Sequence, residues 1–390
     1  MQTPVEYKDI APYDDCDFKQ QMEIMLADPG FEHAIRYVIP DVNFPQLREN
    51  LRKLDNKEDF QKLVMSNILL MLEKNTTAGV TETGIENFAP QKAALFITNH
   101  RDIVLDASFL GLAMIRRGLP AQEVALGDNL LIYEWIERLV RLNKGIIVKR
   151  NLRMTKALEA AKQLSGYIHY CIQRKNKSVW IAQRQGRAKD SNDVTQDSVL
   201  KMLALAGESS NVAEKLMELN IIPTSISYEY DPNDYLKAKE FLSKRRDPEF
   251  KKCQRDDLLS METGILQFKG RVHFSIGHPI NPELEKLVAV NDKAEIIRHA
   301  CEIIDRAIHL GYEIYPVNYI AFDNVNHTDR FKSHYTANDV EEFNRYIDRQ
   351  LDKVDLPDIT AEERTFMRES IFRMYANPLR NQLIAKGESI

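Results

Sequence analysis

Apolar residues repeat at helical spacing through roughly the first 75 positions, three and four residues apart, as on one face of a helix. The pattern predicts helices at residues 20–26, 31–38, 45–54 and 58–74. Residues 75–84 are rich in threonine and glycine, which predicts a loop leading into the next unit. We therefore predict a helical N-terminal domain over residues 1–85.

Beyond residue 85, short runs of β-branched and apolar residues alternate with helix-length segments. The runs predict strands at residues 93–98, 145–150, 178–183, 221–230 and 271–276. The clearest helix spans residues 292–310 and is followed by Gly311, which suits a helix end. Alternation of this kind predicts an α/β fold, a mixed sheet flanked by helices, over residues 86–325.

The remainder of the chain returns to helical spacing from about residue 336. A second helix begins at the capping-box sequence after Thr360, and we expect Pro357 and Pro378 to bound it. These elements predict a helical C-terminal extension over residues 326–390.

Composition narrows the classes of function. The 390 residues carry 53 basic and 58 acidic side chains, a formal charge of -5, which gives no general attraction for nucleic acid. Widely spaced Cys16, Cys171, Cys253 and Cys301 predict reduced thiols rather than a zinc site. No signal peptide or bilayer-length apolar run is evident. We expect a cytoplasmic protein, peripheral to the cytoplasmic membrane face, without a metal or a bound cofactor.

Candidate chemistry begins at residues 96–106, where a strand-like apolar run ends at His100. Two carboxylates, Asp102 and Asp106, follow closely. A histidine with an orienting carboxylate is a plausible general base at neutral pH, because the ordinary pKa of imidazole is about 6.5. Either aspartate is a possible partner from the sequence alone.

Cations stand at the ends of two further predicted strands. Residues 142–150 end in Arg150, and residues 179–187 run into a glycine turn that carries Arg184 and Arg187. Strand ends of α/β sheets bind ligands, and a planar guanidinium suits phosphate oxygens. A fourth segment, 221–229, is a predicted strand with a proline near its start.

Taken in order, the four segments resemble the motifs of the glycerolipid acyltransferases, which include glycerol-3-phosphate and 1-acylglycerol-3-phosphate acyltransferases. The family pattern is Asn-His, four residues and Asp, then Gly-x-x-x-x-Arg, Glu-Gly-Thr/Gly-Arg and Ile/Val-Pro, and it covers about residues 90–280 here. Two departures stand out. Five residues separate His100 from Asp106, and Gln185 replaces the family's glutamate.

The resemblance implies that His100 is the base for direct acyl transfer and Asp106 its partner, without an acyl-enzyme. It implies that Arg150 and Arg187 hold the phosphate of the acceptor, with Arg101 and Arg184 as second candidates. The glycine turn at Gln185 and Gly186 completes the predicted substrate-binding residues, which are Arg150, Arg187, Gly186, Gln185, Arg101 and Arg184.

The implied donor is an acyl-coenzyme A or acyl-carrier-protein thioester, and the acceptor is glycerol-3-phosphate or 1-acylglycerol-3-phosphate. Another lipid acceptor, such as an N-acyl amino acid lipid, and a catalytically silent lipid- or carrier-binding module remain alternatives. The amphipathic segment 129–143 is a candidate for core packing, an acyl-chain channel or a bilayer contact. The basic segment 237–255 is a candidate surface for a carrier protein, coenzyme A or anionic lipid.

Overall fold

A computed structural model describes residues 2–89 and 91–390 of the chain. Within these residues a seven-stranded sheet has the order β1-β7-β6-β2-β5-β3-β4. The strands are β1 (Val80–Thr83), β2 (Leu95–Thr98), β3 (Glu123–Gly127), β4 (Gly145–Val148), β5 (Val179–Ala182), β6 (Ile221–Tyr228) and β7 (Val272–Ile276).

The sheet is mixed. Strands β6, β2, β5, β3 and β4 run parallel to one another. Strand β7 is antiparallel to β6, and β1 is parallel to β7. The carboxyl ends of the five parallel strands therefore meet at one edge of the sheet, where ligands bind in α/β folds. The predicted fold class, a mixed sheet flanked by helices, is confirmed.

Helices surround the sheet on both faces and at both ends of the chain. They are α1 (Asp15–Leu26), α2 (Pro29–Val38), α3 (Phe44–Arg52), α4 (Lys57–Phe60), α5 (Ser66–Thr76), α6 (Leu105–Arg116), α7 (Glu134–Leu142), α8 (Met154–Gln173), α9 (Asp197–Leu203), α10 (Val212–Met217), α11 (Asp234–Arg246), α12 (Gln254–Leu266), α13 (Asn281–Glu285), α14 (Lys293–Leu310), α15 (Pro316–Asn326), α16 (Ala337–Leu351) and α17 (Ala361–Lys386). A π-helical turn, Gln61–Met65, joins α4 to α5.

Alternate residues of the central strands face opposite layers of helices. Leu95 and Ile97 of β2 join the core that includes residues of α8, α9 and α14. Phe96 lies in the core formed with α5 and α6, together with Trp180 of β5. Strand β2 is buried along its whole length, so its apolar sequence reflects burial on both faces.

The C-terminal helices share a core with elements that precede them. Ala238 and Leu242 of α11 pack in one cluster with α15, Phe343 of α16 and Met367 of α17. The division at residue 325 stays a prediction, and this cluster spans it.

Two elements differ from the sequence predictions. Residues 75–84 were predicted as a loop, but β1 lies there and pairs with β7. Three of its four side chains are polar, and it is stabilised by the ladder and by His273, whose ring nitrogens lie 2.8 Å from Thr81 Oγ1 and 3.0 Å from Thr83 Oγ1. Strand β3 was also missed.

The predicted helix boundary at Pro378 is wrong, because α17 continues through that residue to Lys386. A proline lacks the N–H of the helical ladder and usually ends or kinks a helix. Here Leu379 and Leu383 follow it into the buried C-terminal core. Tertiary packing of the residues after the proline stabilises the continuation of the helix.

Candidate active site

His100 lies two residues beyond the end of β2, at the carboxyl edge of the parallel strands. Its Nδ1 is 2.8 Å from Oδ2 of Asp106, which stands in the first turn of α6. The histidine side chain is 12% exposed and the aspartate 1%, so the pair is sheltered while the imidazole still reaches the surface. A hydrogen bond to Nδ1 fixes the tautomer and leaves Nε2 for a substrate.

The strand end that carries His100 is fixed by its neighbour Asn99. The Asn99 amide donates to the carbonyl of Ile226 at 2.9 Å and accepts from the Ile226 N–H at 2.8 Å. Asn99 is fully buried. One side chain therefore clamps the end of β2 to β6, directly before the histidine.

The structure distinguishes the two candidate partner carboxylates. Asp102 Oδ1 accepts hydrogen bonds from the backbone N–H groups of Val104 at 2.9 Å and Leu105 at 2.7 Å, so this carboxylate caps the start of α6. Burial and the nearby Asp106 raise the pKa of Asp102. Asp106 is the residue that bonds the histidine, and the extra residue before it is accommodated by the capping turn.

An aromatic wall stands beside the imidazole. The Trp180 indole of β5 is buried and meets the His100 ring edge to face, with ring centroids 5.7 Å apart. The sequence placed Trp180 in a motif but gave it no function. A neighbouring indole limits the orientations open to the imidazole.

An open cavity of about 430 Å³ lies at the same sheet edge. Arg150, Arg184 and Gln185 line its polar part, whereas Ala157 and Leu164 of α8 contribute to its apolar wall. Thr98 of β2 pairs in register with Ala182 of β5. His100 and Arg184 therefore each lie two residues beyond paired positions on adjacent strands, but His100 is not among the described residues that line the cavity.

Arg150 reaches this cavity across the end of β3. A Cβ atom built on Gly127 would lie 2.4 Å from Arg150 Nε, so only glycine leaves room for the guanidinium. The Arg150 backbone N–H is held by the Asp128 carboxylate at 3.2 Å. Burial lowers the pKa of Arg150, and Asp128 and Asp257 oppose that shift. Among the described residues, its guanidinium has no hydrogen-bond or ion-pair partner.

The acyltransferase family model matches residues 79–227. This segment contains β1 to β5, all of β6 except its last residue, and all of the motif residues except the end of the fourth motif. Residues 79–227 are an acyltransferase domain. The chain therefore contains an acyltransferase domain, in agreement with the acyltransferase part of the resemblance drawn from its sequence.

One solved structure similar to this chain is the crystal structure of the 1-acyl-sn-glycerophosphate (LPA) acyltransferase PlsC from Thermotoga maritima. The two are 14% identical with a TM-score of 0.37, and the match covers 75% of this chain and 94% of that chain. The comparison with curated proteins gives no match.

Arg187 of the acyltransferase domain is buried, and it does not line the cavity that holds Arg150. With the Asn233 amide oriented so that its nitrogen donates to the Ser260 carbonyl at 3.1 Å, its oxygen accepts from Arg187 Nη1 at 3.2 Å. Burial and the charge of Arg187 lower the pKa of nearby Lys189 to about 7. The structure thus places the expected Arg150 and Arg187 pair in two different surroundings.

Arg101 is also engaged inside the acyltransferase domain. Its guanidinium forms a forked ion pair with Asp193, with Nη2 2.6 Å from Oδ2 and Nη1 3.2 Å from Oδ1. Burial opposes the charge of Arg101, but Asp193 outweighs it and raises the pKa of the guanidinium. In this structure the Arg101 guanidinium is engaged by a protein carboxylate, and its expected contact with the acceptor phosphate stays a prediction.

The glycine turn of the third motif is built as the sequence suggests. Gly186 has a φ of 72°, in the left-handed region that glycine adopts without strain. Gln185 is exposed, and its backbone N–H donates to the side chain of Gln196 at 2.8 Å. Gln185 is one of the residues that line the cavity, and its carboxamide can act as a donor or an acceptor.

The basic segment 237–255 and the amphipathic segment 129–143 both make contacts within the protein. In α11, Lys237 is buried against Asp231, while Arg245 pairs with Glu362 at 2.7 Å. In α7, Trp135 packs against Phe31, with ring centroids 6.1 Å apart. The first segment is largely neutralised by ion pairs, and the second packs in the N-terminal core.

Proposed function

We propose that the acyltransferase domain moves a fatty acyl group from an acyl-coenzyme A or acyl-carrier-protein thioester to a hydroxyl of glycerol-3-phosphate or 1-acylglycerol-3-phosphate. The observation that carries the proposal is the hydrogen bond between His100 Nδ1 and the buried carboxylate of Asp106. No described residue bonds the other ring nitrogen. That nitrogen is the proposed base.

The chemistry requires proton removal as the acceptor oxygen attacks the thioester carbon. Neutral imidazole at Nε2 takes this proton, and Asp106 stabilises the imidazolium that forms through Nδ1–H. The C–S bond then breaks, the C–O bond is complete, and the proton is available for the thiolate. The acceptor hydroxyl replaces an enzyme nucleophile, so the transfer is direct.

The cavity supports an anionic acceptor. Arg150 and Arg184 line it beside Gln185, and a guanidinium without a protein partner is suited to phosphate. We propose that Arg150 and Arg184 contact the acceptor phosphate. For Arg187 and Gly186 we propose that they shape the turn from which Arg184 and Gln185 project. Positioning of the acceptor hydroxyl against His100 supplies much of the rate.

We also propose a contact with anionic lipid at the mouth of the cavity. The loop and first turns of α8 expose three apolar side chains, Leu152 at 36%, Met154 at 91% and Leu158 at 50%. Exposed Arg153 and Lys156 lie among them. Apolar side chains ringed by cations favour an anionic bilayer surface. No helix of residues 2–89 and 91–390 has the length and apolarity to span a bilayer.

The central test is acyl transfer from palmitoyl-coenzyme A and palmitoyl-carrier protein to glycerol-3-phosphate and its 1-acyl form. His100→Ala should lower the rate about 10²- to 10⁴-fold. Asp106→Asn should lose far more activity than Asp102→Asn, since asparagine retains most of the capping function. An equal loss in the two aspartate variants would contradict the assigned pair.

The acceptor is tested in the same assay. Gln185 stands where the family pattern has glutamate, which keeps an N-acyl amino acid lipid as the rival acceptor. Transfer to that lipid but not to either glycerol phosphate would replace the proposed acceptor. Binding of the acyl donor without transfer to any of these acceptors would instead support a silent binding module.

The lipid contact is tested by sedimentation with vesicles of phosphatidylglycerol or phosphatidylcholine. We expect the wild type to bind the anionic vesicles, and the double variant Met154→Ser with Leu158→Ser to bind less. Phe268→Ser is the matched control, because Phe268 is 52% exposed and lies on a different segment. Equal binding by the double variant and the wild type would exclude this surface.

A further inference from the structure

We propose that Asp193 is a positioning residue for the acyl-transfer site, acting through Arg101 on the carboxylate that orients His100. The proposal rests on the proposed role of His100 and goes beyond the motif residues. Asp193 follows β5, in the irregular segment before α9, and lies outside all four motifs. Its side chain is fully buried.

The carboxylate of Asp193 is held by groups from two distant parts of the chain. It receives the forked guanidinium of Arg101, and the Tyr312 hydroxyl donates to Oδ2 at 2.5 Å. The Asp193 backbone carbonyl accepts from His309 Nε2 at 2.7 Å, near the end of α14. Asp193 is therefore held through both its carboxylate and its backbone carbonyl.

The backbone of Arg101 connects Asp193 to the hydrogen-bonded pair of His100 and Asp106. The Arg101 N–H donates to Asp106 Oδ2 at 2.7 Å, and the Asp102 N–H donates to the same oxygen at 3.0 Å. That oxygen is also the one bonded to His100 Nδ1. Anchoring the Arg101 side chain thus fixes the backbone donor that aims the carboxylate.

The turn that carries the histidine is consequently held from three sides. Asn99 clamps it to β6, Asp102 ties it to the start of α6, and Asp193 ties it to the segment after β5. A buried ion pair contributes little net stability when compared with packed apolar residues. Placement of the turn is the role that its geometry supports.

The experiment compares Asp193→Asn with Glu123→Gln. Glu123 is a matched control because it too is a buried carboxylate held by one cation, Lys175 at 2.7 Å, and one tyrosine hydroxyl, Tyr167 at 2.7 Å. It stands at the opposite, amino edge of the parallel strands, at the start of β3.

Two readouts are taken. One is kcat and KM for transfer from palmitoyl-coenzyme A to glycerol-3-phosphate. The other is the downfield Nδ1–H resonance of His100, assigned by its absence in His100→Ala. We expect Asp193→Asn to lower kcat about 10²-fold with KM unchanged, because a displacement of about 1 Å has that cost. We also expect it to weaken the Nδ1–H resonance, and Glu123→Gln to change neither.

Retention of both kcat and the Nδ1–H resonance by folded Asp193→Asn would overturn the proposal. If that variant does not fold, the double variant Arg101→Met with Asp193→Leu replaces the ion pair by apolar groups of similar size. Wild-type kcat and resonance in the folded double variant would likewise overturn it. The resonance is observed without turnover, so it decides the positioning role even if the proposed acceptors are wrong.

Discussion

At the scale of single residues, the geometry of the site depends on the hydrogen-bond partner of each buried carboxylate. Asp102 and Asp106 are both buried, yet one caps a helix and the other bonds His100. Gly127 matters through the side chain it does not have, because the Arg150 guanidinium occupies that space. The role of each residue follows from its contact and not from its residue type.

Gly127→Ala should therefore weaken acceptor binding. The added methyl group would meet Arg150 Nε at 2.4 Å, so the guanidinium must leave its place over β3. We expect a rise in KM for glycerol-3-phosphate of about tenfold, the loss of roughly 1.4 kcal/mol of binding. Gly111→Ala is the control, since its methyl group would meet Ala121 Cβ at an ordinary 3.5 Å. An unchanged KM in Gly127→Ala would show that Arg150 does not hold the acceptor.

At the scale of elements, buried polar contacts join α11 to the C-terminal helices. Asp234 begins α11 and accepts hydrogen bonds from Tyr346 at 2.8 Å, Tyr375 at 2.9 Å and Gln350 at 2.6 Å. Burial and the neighbouring Asp231 raise the pKa of Asp234 to about 7. The packing of α16 and α17 on α11 should thus depend on whether Asp234 is protonated.

The sign of the resulting pH dependence follows from that shift. An unfolded aspartate has a pKa of about 3.9, so the folded state keeps a proton that the unfolded chain releases. The stability linked to Asp234 is fully present below about pH 4 and is lost as the pH rises through about 7. Asp234→Asn imitates the protonated side chain. It should therefore flatten the fall in Tm between pH 5 and pH 8.

Calorimetry at those two pH values measures the effect, with Asp355→Asn as the control because Asp355 is exposed. A Tm that falls equally in wild type and Asp234→Asn would show that another group governs this pH range.

At the scale of the whole molecule, four apolar cores lie within residues 2–89 and 91–390, and two of them cover the two faces of the sheet. A third belongs to the N-terminal helices and includes Leu142 of α7. The C-terminal core draws on α11 and α15 as well as on the last two helices. The N-terminal helices therefore share a core with α7, and the C-terminal helices share a core with α11 and α15.

Deletion of residues 354–390 should consequently destabilise the part of the chain that remains. Helix α17 buries Met367, Ile371, Leu379 and Leu383. Losing buried side chains of this kind costs about 2–5 kcal/mol each, a total comparable with the roughly 5–15 kcal/mol that stabilises a domain. We expect the truncated chain to be insoluble or to lack a cooperative thermal transition. A soluble product with a sharp transition would show that the C-terminal core is dispensable.

Much of the α/β layout was predictable, because five strands and helix α14 carry strong local patterns. Strand β1 was not, since its polar residues are stabilised by pairing with β7 and by contacts with His273. The motif residues were predictable as a set, and the resemblance named Asp106 as the partner of His100. Contacts between the motifs and residues outside them were not predictable. The ion pair of Arg101 with Asp193 joins positions 92 residues apart, a separation that no local pattern encodes.

The path of the N-terminal segment has a practical consequence. The carbonyl of Ile10 accepts a hydrogen bond from the N–H of Ile147 in β4, and Ile10 lines the cavity with Arg150. The N-terminal segment therefore forms part of the cavity wall. A bulky substitution or a chemical label at Ile10 would disturb strand β4 and the cavity together.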